Sequence, residues 1–387
     1  MPHRPFFLAS LAWNYGLGMT YVVVPLYAHA QGLSGSQIGT LFSVPVLAQV
    51  VLNLVGGAYS DRLGGRRIML GACAIMIAAG AAFALAQGFW MLFAGQVLMV
   101  LSRAAFWPAT WSIASELPGA RGIQLGRLNA ITNFGQIIGT GSCGFILVTA
   151  GFAATFLVLA AMGLAALAAG SRTPHVALGR AAEGWSVLAA YRPLLAQRII
   201  YYSILCAYLS ALPFSLSMSF YPLLLEHYGF AAEPSGILLA LRAVGSIGAG
   251  LLVARFVRTG PATLWPVWSG VAVALSVGLL PVINHAAPIA LLMLAVGFGS
   301  GAMTLYFQIT LSESSRASGR GAALALGGLG WGLSHFSTPL VMGFIADRAG
   351  IVYGFYVLGV LALACTAAIA LLRRWAFERP PLAGSGA

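Results

Sequence analysis

Arginine separates the gaps between apolar stretches of this chain into two kinds. Twelve apolar stretches run roughly over residues 6–28, 36–59, 68–87, 90–114, 124–149, 152–170, 199–225, 235–257, 262–283, 287–311, 321–346 and 351–373. Each is long enough to cross ~30 Å of hydrocarbon as a helix at ~1.5 Å per residue. One set of gaps holds Arg4; Arg62, Arg66 and Arg67; Arg121 and Arg127; Arg172, Arg180, Arg192 and Arg198; Arg255 and Arg258; Arg316 and Arg320; and Arg373, Arg374 and Arg379. The alternate set holds almost nothing basic beyond Arg348 and includes Glu226 and Glu233. The positive-inside rule puts the first set, with both chain termini, in the cytoplasm. An even number of crossings requires the same.

Hydrophobic residues make up 60% of the 387 positions and charged residues 7%, which excludes an ordinary soluble fold. The net charge of +12 comes from arginine alone, since the chain has no lysine. The arginines form no basic stripe, so they read as topology signals and nucleic acid is not an expected partner. Cys73, Cys143, Cys206 and Cys365 all lie inside apolar stretches, without metal-ligand or disulfide spacing. His3, Arg4, the first apolar stretch and Ala28-His29-Ala30 imitate a secretory leader. The stretch is too long for one and has a counterpart later, so it is read as a retained first helix.

That counterpart belongs to an internal repeat. Pro25-Leu26 is followed by Gly32 and Gly39, and Pro222-Leu223 by Gly229 and Gly236 at the same spacings. Arg121-Gly122 and Gly144-Phe145-Ile146 match Arg320-Gly321 and Gly343-Phe344-Ile345 in the same way. Residues 171–198 are the longest polar stretch, broken by Pro174, Gly179, Gly184 and Pro193, and read as a linker. Within it, Trp185 to Tyr191 has the pattern of a short helix lying at the interface.

The run from Gly57 to Arg67 packs Asp61, Arg62, Gly64, Gly65, Arg66 and Arg67 into a tight loop between two apolar stretches. It resembles the signature loop G-x-x-x-D-R-x-G-R-R of the major facilitator superfamily, matched at Gly57, Asp61, Arg62 and Gly64. Gly65 stands where the family has its first basic residue, with Arg66 and Arg67 following; the second copy, near Arg255 to Arg258, has no acid. The resemblance covers essentially the whole chain. It implies two six-helix bundles that rock about a central site, and a gating pair between Glu116, ending the fourth stretch, and Arg66 or Arg67.

Such sites lie near the bilayer midplane, where an ionisable side chain is expensive and is a functional candidate by default. Arg103 sits about halfway along the fourth stretch, before Trp107-Pro108. It resembles the fourth-helix arginine of the family, tied in exporters to proton coupling; as an isolated residue it reads equally as bonded to neighbouring carbonyls. Arg242 lies about two turns into the eighth stretch, either attracting an anionic group or snorkelling outward. His335, one turn after Trp331, is either a proton carrier or a neutral core histidine. Asn129, Asn133 and Gln136 share one face of the fifth stretch. Asn14 and Tyr15, Asn53, and Tyr306 and Gln308 add polar points, which bond either a solute or other helices. Gly135, Gly139, Gly141 and Gly144 resemble the family's antiporter motif, although Thr140 replaces its proline; the repeat has Pro339 there. No acid lies deep in any stretch, and no nucleotide loop or catalytic constellation is present.

These readings predict an all-α polytopic membrane protein with twelve transmembrane helices. The bundles are expected at 1–170 and 199–375, around a cytoplasmic linker at 171–198 and before a cytoplasmic tail at 376–387. The expected function is secondary active transport of a small organic solute, neutral or anionic, by alternating access. The motif remnants around Arg103 and Gly139 favour export in exchange for protons. Proton-coupled uptake of an organic anion is the rival, and a non-transporting sensor or scaffold is the alternative of another class. Neither enzymatic activity nor a cofactor or metal is expected. The partners are the solute, protons as coupling ion and the lipid bilayer, around a monomer in the bacterial inner membrane.

Overall fold

The computed structural model describes residues 3–118, 121–173, 192–253, 256, 259–314, 323 and 326–378, without the side chains of 53–63, 121 and 122. The surroundings of Gly57, the side chains of Asn53, Asp61 and Arg62, the linker segment 174–191 with its expected interfacial helix, Arg255, Arg258, Arg316, Arg320 and the tail beyond 378 lie outside the described residues.

Helices α1 (Arg4–Ala30), α2 (Gly35–Leu63), α3 (Gly65–Leu85) and α4 (Gly88–Glu116) follow one another with very short turns. The helical run Arg121–Gly170 breaks at Gly151, with φ 79° and ψ 176°, into two crossings, α5 before it and α6 after it. Helix α7 (Arg198–Ser217) leads into a short helix, Tyr221–His227; α8 (Ala232–Leu252), α9 (Trp265–Leu279), α10 (Ala286–Ser314), α11 (Leu329–Ala349) and α12 (Ile351–Phe377) complete the twelve crossings. Ten of the described helical runs are long and apolar enough to span a membrane, the undivided run over α5 and α6 counting as one of them. Helix α11, more polar, is the remaining crossing.

The repeat read from the sequence is a repeat of turns. Gly32 and Gly229 both have positive φ, 74° and 80°, and so do Gly151 and Gly350, 79° and 96°. These dihedrals are strained for any residue with a Cβ. The seventh stretch, expected to be continuous, is instead interrupted at Met218–Phe220, between α7 and the short helix. Pro222, which has no N–H for the carbonyl of Met218, stands in the first turn of the short helix, whereas its repeat partner Pro25 lies inside the continuous α1.

Packing within the first six crossings centres on α1 against α5, and on α3 against α4 and the Arg121–Gly170 run. Among the last six, α8 packs on α10, α9 on α12 and α7 on α11. Among the described residues, the most extensive contacts between the halves are those of α2 with α11 and α5 with α8. Lipid supplies no hydrophobic drive between helices, so such pairs depend on close approach. Here glycines permit it in a repeated pattern. A Cβ on Gly39 would collide with the carbonyl of Pro339, and one on Gly236 would lie 2.6 Å from that of Thr140. Gly343 abuts the carbonyl of Gly35, and Gly144 that of Ala232. All four contacts lie towards the arginine-poor end. There the first turn of α2 is closed by Ser34 and Gln37, which cap each other's backbone N–H groups at 2.9 and 3.2 Å. His29 also meets Glu226 across the halves at 2.9 Å. The molecule is therefore sealed between its halves on the arginine-poor side.

Candidate functional site

Arg103 from α4, Arg242 from α8 and His335 from α11 are 9%, 6% and 6% exposed. Placing two guanidinium groups at such depth is costly unless their donors are met. Arg103 meets its donors with neutral groups. Its Nε and one terminal nitrogen both donate to Gln49 Oε1 of α2, at 3.0 and 2.6 Å, and the other terminal nitrogen points to Met218 Sδ at 3.3 Å. That last contact crosses between the halves, at the interruption of α7.

Arg242 lies over the ring of Phe214, its guanidinium carbon 4.9 Å from the centroid, a cation–π arrangement. Its Nε and the hydroxyl of Tyr21 are buried without a hydrogen-bond partner among the described residues. Tyr21 is within electrostatic reach of both arginines, and so is His335. Helix α8 comes close enough to α10 to set Arg242 here because a residue without a side chain, Gly297, faces the Arg242 carbonyl.

Phe214 is the hub of this centre. Its ring lies 5.4 Å from Tyr21, 5.7 Å from Trp331 and 5.4 Å from His335. His335 stacks on Trp331 at 5.5 Å and 19°, and its Nδ1 is 2.8 Å from the Trp331 carbonyl. A carbonyl only accepts, so Nδ1 carries the proton, and Nε2 is left with a lone pair in the neutral ring. Trp331 is itself fixed by Nε1 donating to Ser210 Oγ at 3.1 Å. A void of about 10 Å³, room for one water, adjoins Arg103 between Leu17, Tyr21, Gln96, Met99 and Met218. The centre thus combines two cations, one titratable ring and an aromatic wall, and among the described residues no carboxylate contacts either arginine. Its chemistry suits an anionic group attached to an apolar or aromatic body.

The other residues singled out in the sequence lie elsewhere. Asn14 Oδ1 accepts from Gln136 Nε2 at 3.0 Å, and Tyr15 and Ser142 hydroxyls meet at 2.8 Å; both contacts bind α1 to α5. Asn133 donates to the Asn129 carbonyl in its own helix, at 2.8 Å, and Asn129 is exposed. Tyr306 is buried against Tyr202, with centroids 6.4 Å apart, and Gln308 is exposed. Trp107 packs edge-on to Trp13 at 6.2 Å. Glu116 ends α4 half-buried, and Arg66 donates to the carbonyl of Ser171. Gly64, with φ 87°, turns the chain from α2 into α3, ahead of Arg66 and Arg67 in the first turn of α3. Sequence reasoning missed Gln49, Tyr21, Phe214 and Met218. A signal existed for two of them: Tyr21 and Met218 each stand four residues before a proline of the repeat, Pro25 and Pro222.

Comparison with known proteins adds three findings. The 3-(3-hydroxy-phenyl)propionate transporter of Escherichia coli (strain K12) is 27% identical over 353 residues, covering 87% of this chain and 84% of that protein. The Quinolone resistance protein NorA of Staphylococcus aureus is 27% identical over 133 residues, so the chain spans 34% of that relative's length. Among solved structures, the nucleoside transporter NupG has a TM-score of 0.79 at 14% identity, covering 98% of this chain and 100% of that one. A bacterial homologue of the human lysosomal transporter Spinster, in an inward-facing and unoccupied conformation, has a TM-score of 0.76 at 18% identity, covering 98% and 99%. At such identities these structures speak for the fold alone. The family model described as Major Facilitator Superfamily matches residues 6–319, and the chain belongs to that family of membrane transporters.

Proposed function

We propose that this chain carries a small organic anion across the membrane by alternating access, a monocarboxylate with an apolar or aromatic body being the best fit. One observation carries the reading: two arginines are buried at the junction of the halves beside an aromatic wall, with neutral partners on one and an unmet donor on the other. A carboxylate accepts from a guanidinium in bidentate fashion and cancels its charge, which a neutral acceptor does not, so an anion is the ligand that best offsets the cost of these groups. The extended match to the 3-(3-hydroxy-phenyl)propionate transporter supports the same class. Protons are the coupling ion in this reading, taken up at Nε2 of His335 once the substrate's carboxylate offsets the two neighbouring arginines. Export of a neutral drug-like compound is the second reading, favoured by the shorter match to NorA.

Binding to the purified chain separates the two. Three probes with one body, 3-phenylpropionate, 3-phenylpropionamide and 3-phenylpropylamine, are compared by the shift each causes in thermal unfolding. Stabilisation by the carboxylate alone is the expected result. Equal or greater stabilisation by the amide contradicts the anion reading and favours the second. A pH-sensitive dye inside proteoliposomes then tests coupling: 3-phenylpropionate is expected to move protons with wild type and not with His335→Gln.

A further inference from the structure

Gln49 engages Arg103 along the edge of the guanidinium that carries Nε–H and a terminal N–H side by side. That edge is the fork that takes a carboxylate in bidentate fashion. Here one amide oxygen fills it, with both donors converging on Oε1 at 3.0 and 2.6 Å. The oxygen assignment is fixed by chemistry, because a guanidinium offers donors only. The remaining terminal nitrogen faces the thioether of Met218, a weak acceptor. Arg242 has no such cover: its Nε is buried and unmet over Phe214. The two cations of the centre are therefore unequal, one held by an internal neutral acceptor and one open.

We propose that Gln49 is a specificity-determining placeholder: its amide oxygen occupies the carboxylate fork of Arg103 in the empty carrier and is displaced by the substrate's carboxylate. The proposal rests on the anion reading and goes beyond it by naming the residue that sets ligand charge and release. A buried guanidinium with nothing on its fork would destabilise the empty state. A resident carboxylate would satisfy it too well, since a charge-assisted pair competes directly with the ligand. An amide lies between these limits, satisfying the donors while yielding to an anion. The placeholder belongs to α2, the helix clamped to α11 through Gly39 and Gly35. Displacement thus removes the hydrogen bonds that tie α2 to α4 at mid-depth, in the helix that also closes the arginine-poor end.

The test is calorimetric titration of the detergent-purified full chain with 3-phenylpropionate, in wild type, Gln49→Met, Gln49→Glu and Arg103→Ala. Methionine keeps the length of the side chain and removes the amide oxygen. Gln49→Met is expected to bind at least ten-fold more tightly, the equivalent of one hydrogen bond from a charged donor no longer displaced. Gln49→Glu is expected to weaken binding at least ten-fold, because an internal carboxylate then holds the fork. Opposite changes from two substitutions at one position do not arise from misfolding. If wild type binds, Arg103→Ala does not, and Gln49→Met is unchanged or weaker than wild type, the placeholder is overturned while the anion reading stands. If wild type does not bind the carboxylate, or binds 3-phenylpropionamide better, the anion reading falls and the placeholder with it.

Discussion

The carboxylate of Asp347, in the exposed last turn of α11 beyond its apolar stretch, accepts the backbone N–H of Gly35 at the start of α2, 2.6 Å away. Its other oxygen takes the N–H of Ser36 at 2.8 Å. A negative charge on a helix N-terminus contributes about 0.3–1 kcal/mol at an exposed position. It acts between the two halves, and so favours the arrangement closed at the arginine-poor end.

This latch gives a pH prediction. Burial raises the proton affinity of Asp347, but hydrogen bonds from Ser36, Gly35 and Ser34 outweigh it and hold the carboxyl below its ordinary value. Its stabilisation of the closed state is therefore full above the ordinary carboxylate pKa of about 4 and is lost as pH falls through the lowered value. The spin-label distance between α2 and α11 at the arginine-poor end is expected to lengthen on acidification below about pH 4. In Asp347→Asn it is expected to be longer at neutral pH and flat across the same range.

The glycine contacts between the halves predict a conformational shift. Gly39→Val and Gly144→Val each place a branched side chain against a backbone carbonyl that cannot move without its helix. Both variants are expected to populate the state open at the arginine-poor end and to lose transport at least ten-fold, with normal expression. Spin-label distances between α2 and α11 check this. A distance distribution identical to wild type would contradict it.

Polar residues that bind helices together separate experimentally from those that face a solute. Asn14→Ala removes the hydrogen bond to Gln136 and is expected to cost about 0.6–2 kcal/mol of stability. The affinity for 3-phenylpropionate should be unchanged. Thermal unfolding with and without the ligand measures both.

These contrasts show how far the sequence is legible. Arg103, Arg242 and His335 stand out in apolar stretches because ionisable groups there are costly, and the structure brings them together with Trp331. Gln49, Phe214 and Met218 do not stand out, since an amide, a phenylalanine and a methionine are unremarkable inside a membrane helix. Their position depends on which helices adjoin, and that is set by backbone approach at glycines rather than by local pattern. The same limit applies to Asn14, Tyr15 and Gln136, whose spacing suits a cavity face but whose side chains join α1 to α5. The repeat was readable at Gly39, Gly236, Gly144 and Gly343; that these glycines meet the opposite half was not, because a spacing carries no partner.

The measurement that bears most directly on the central claim is counterflow of labelled 3-phenylpropionate into proteoliposomes loaded with the same unlabelled compound. Wild type, Arg103→Ala, Arg242→Ala and Arg242→Lys are compared at matched protein density. Each lost arginine removes a charged hydrogen bond of about 1.5–3 kcal/mol, so counterflow in both alanine variants is expected to fall roughly ten- to hundred-fold, with partial recovery in Arg242→Lys. Counterflow that persists at the wild-type rate in both alanine variants would contradict an anion site at the junction of the halves.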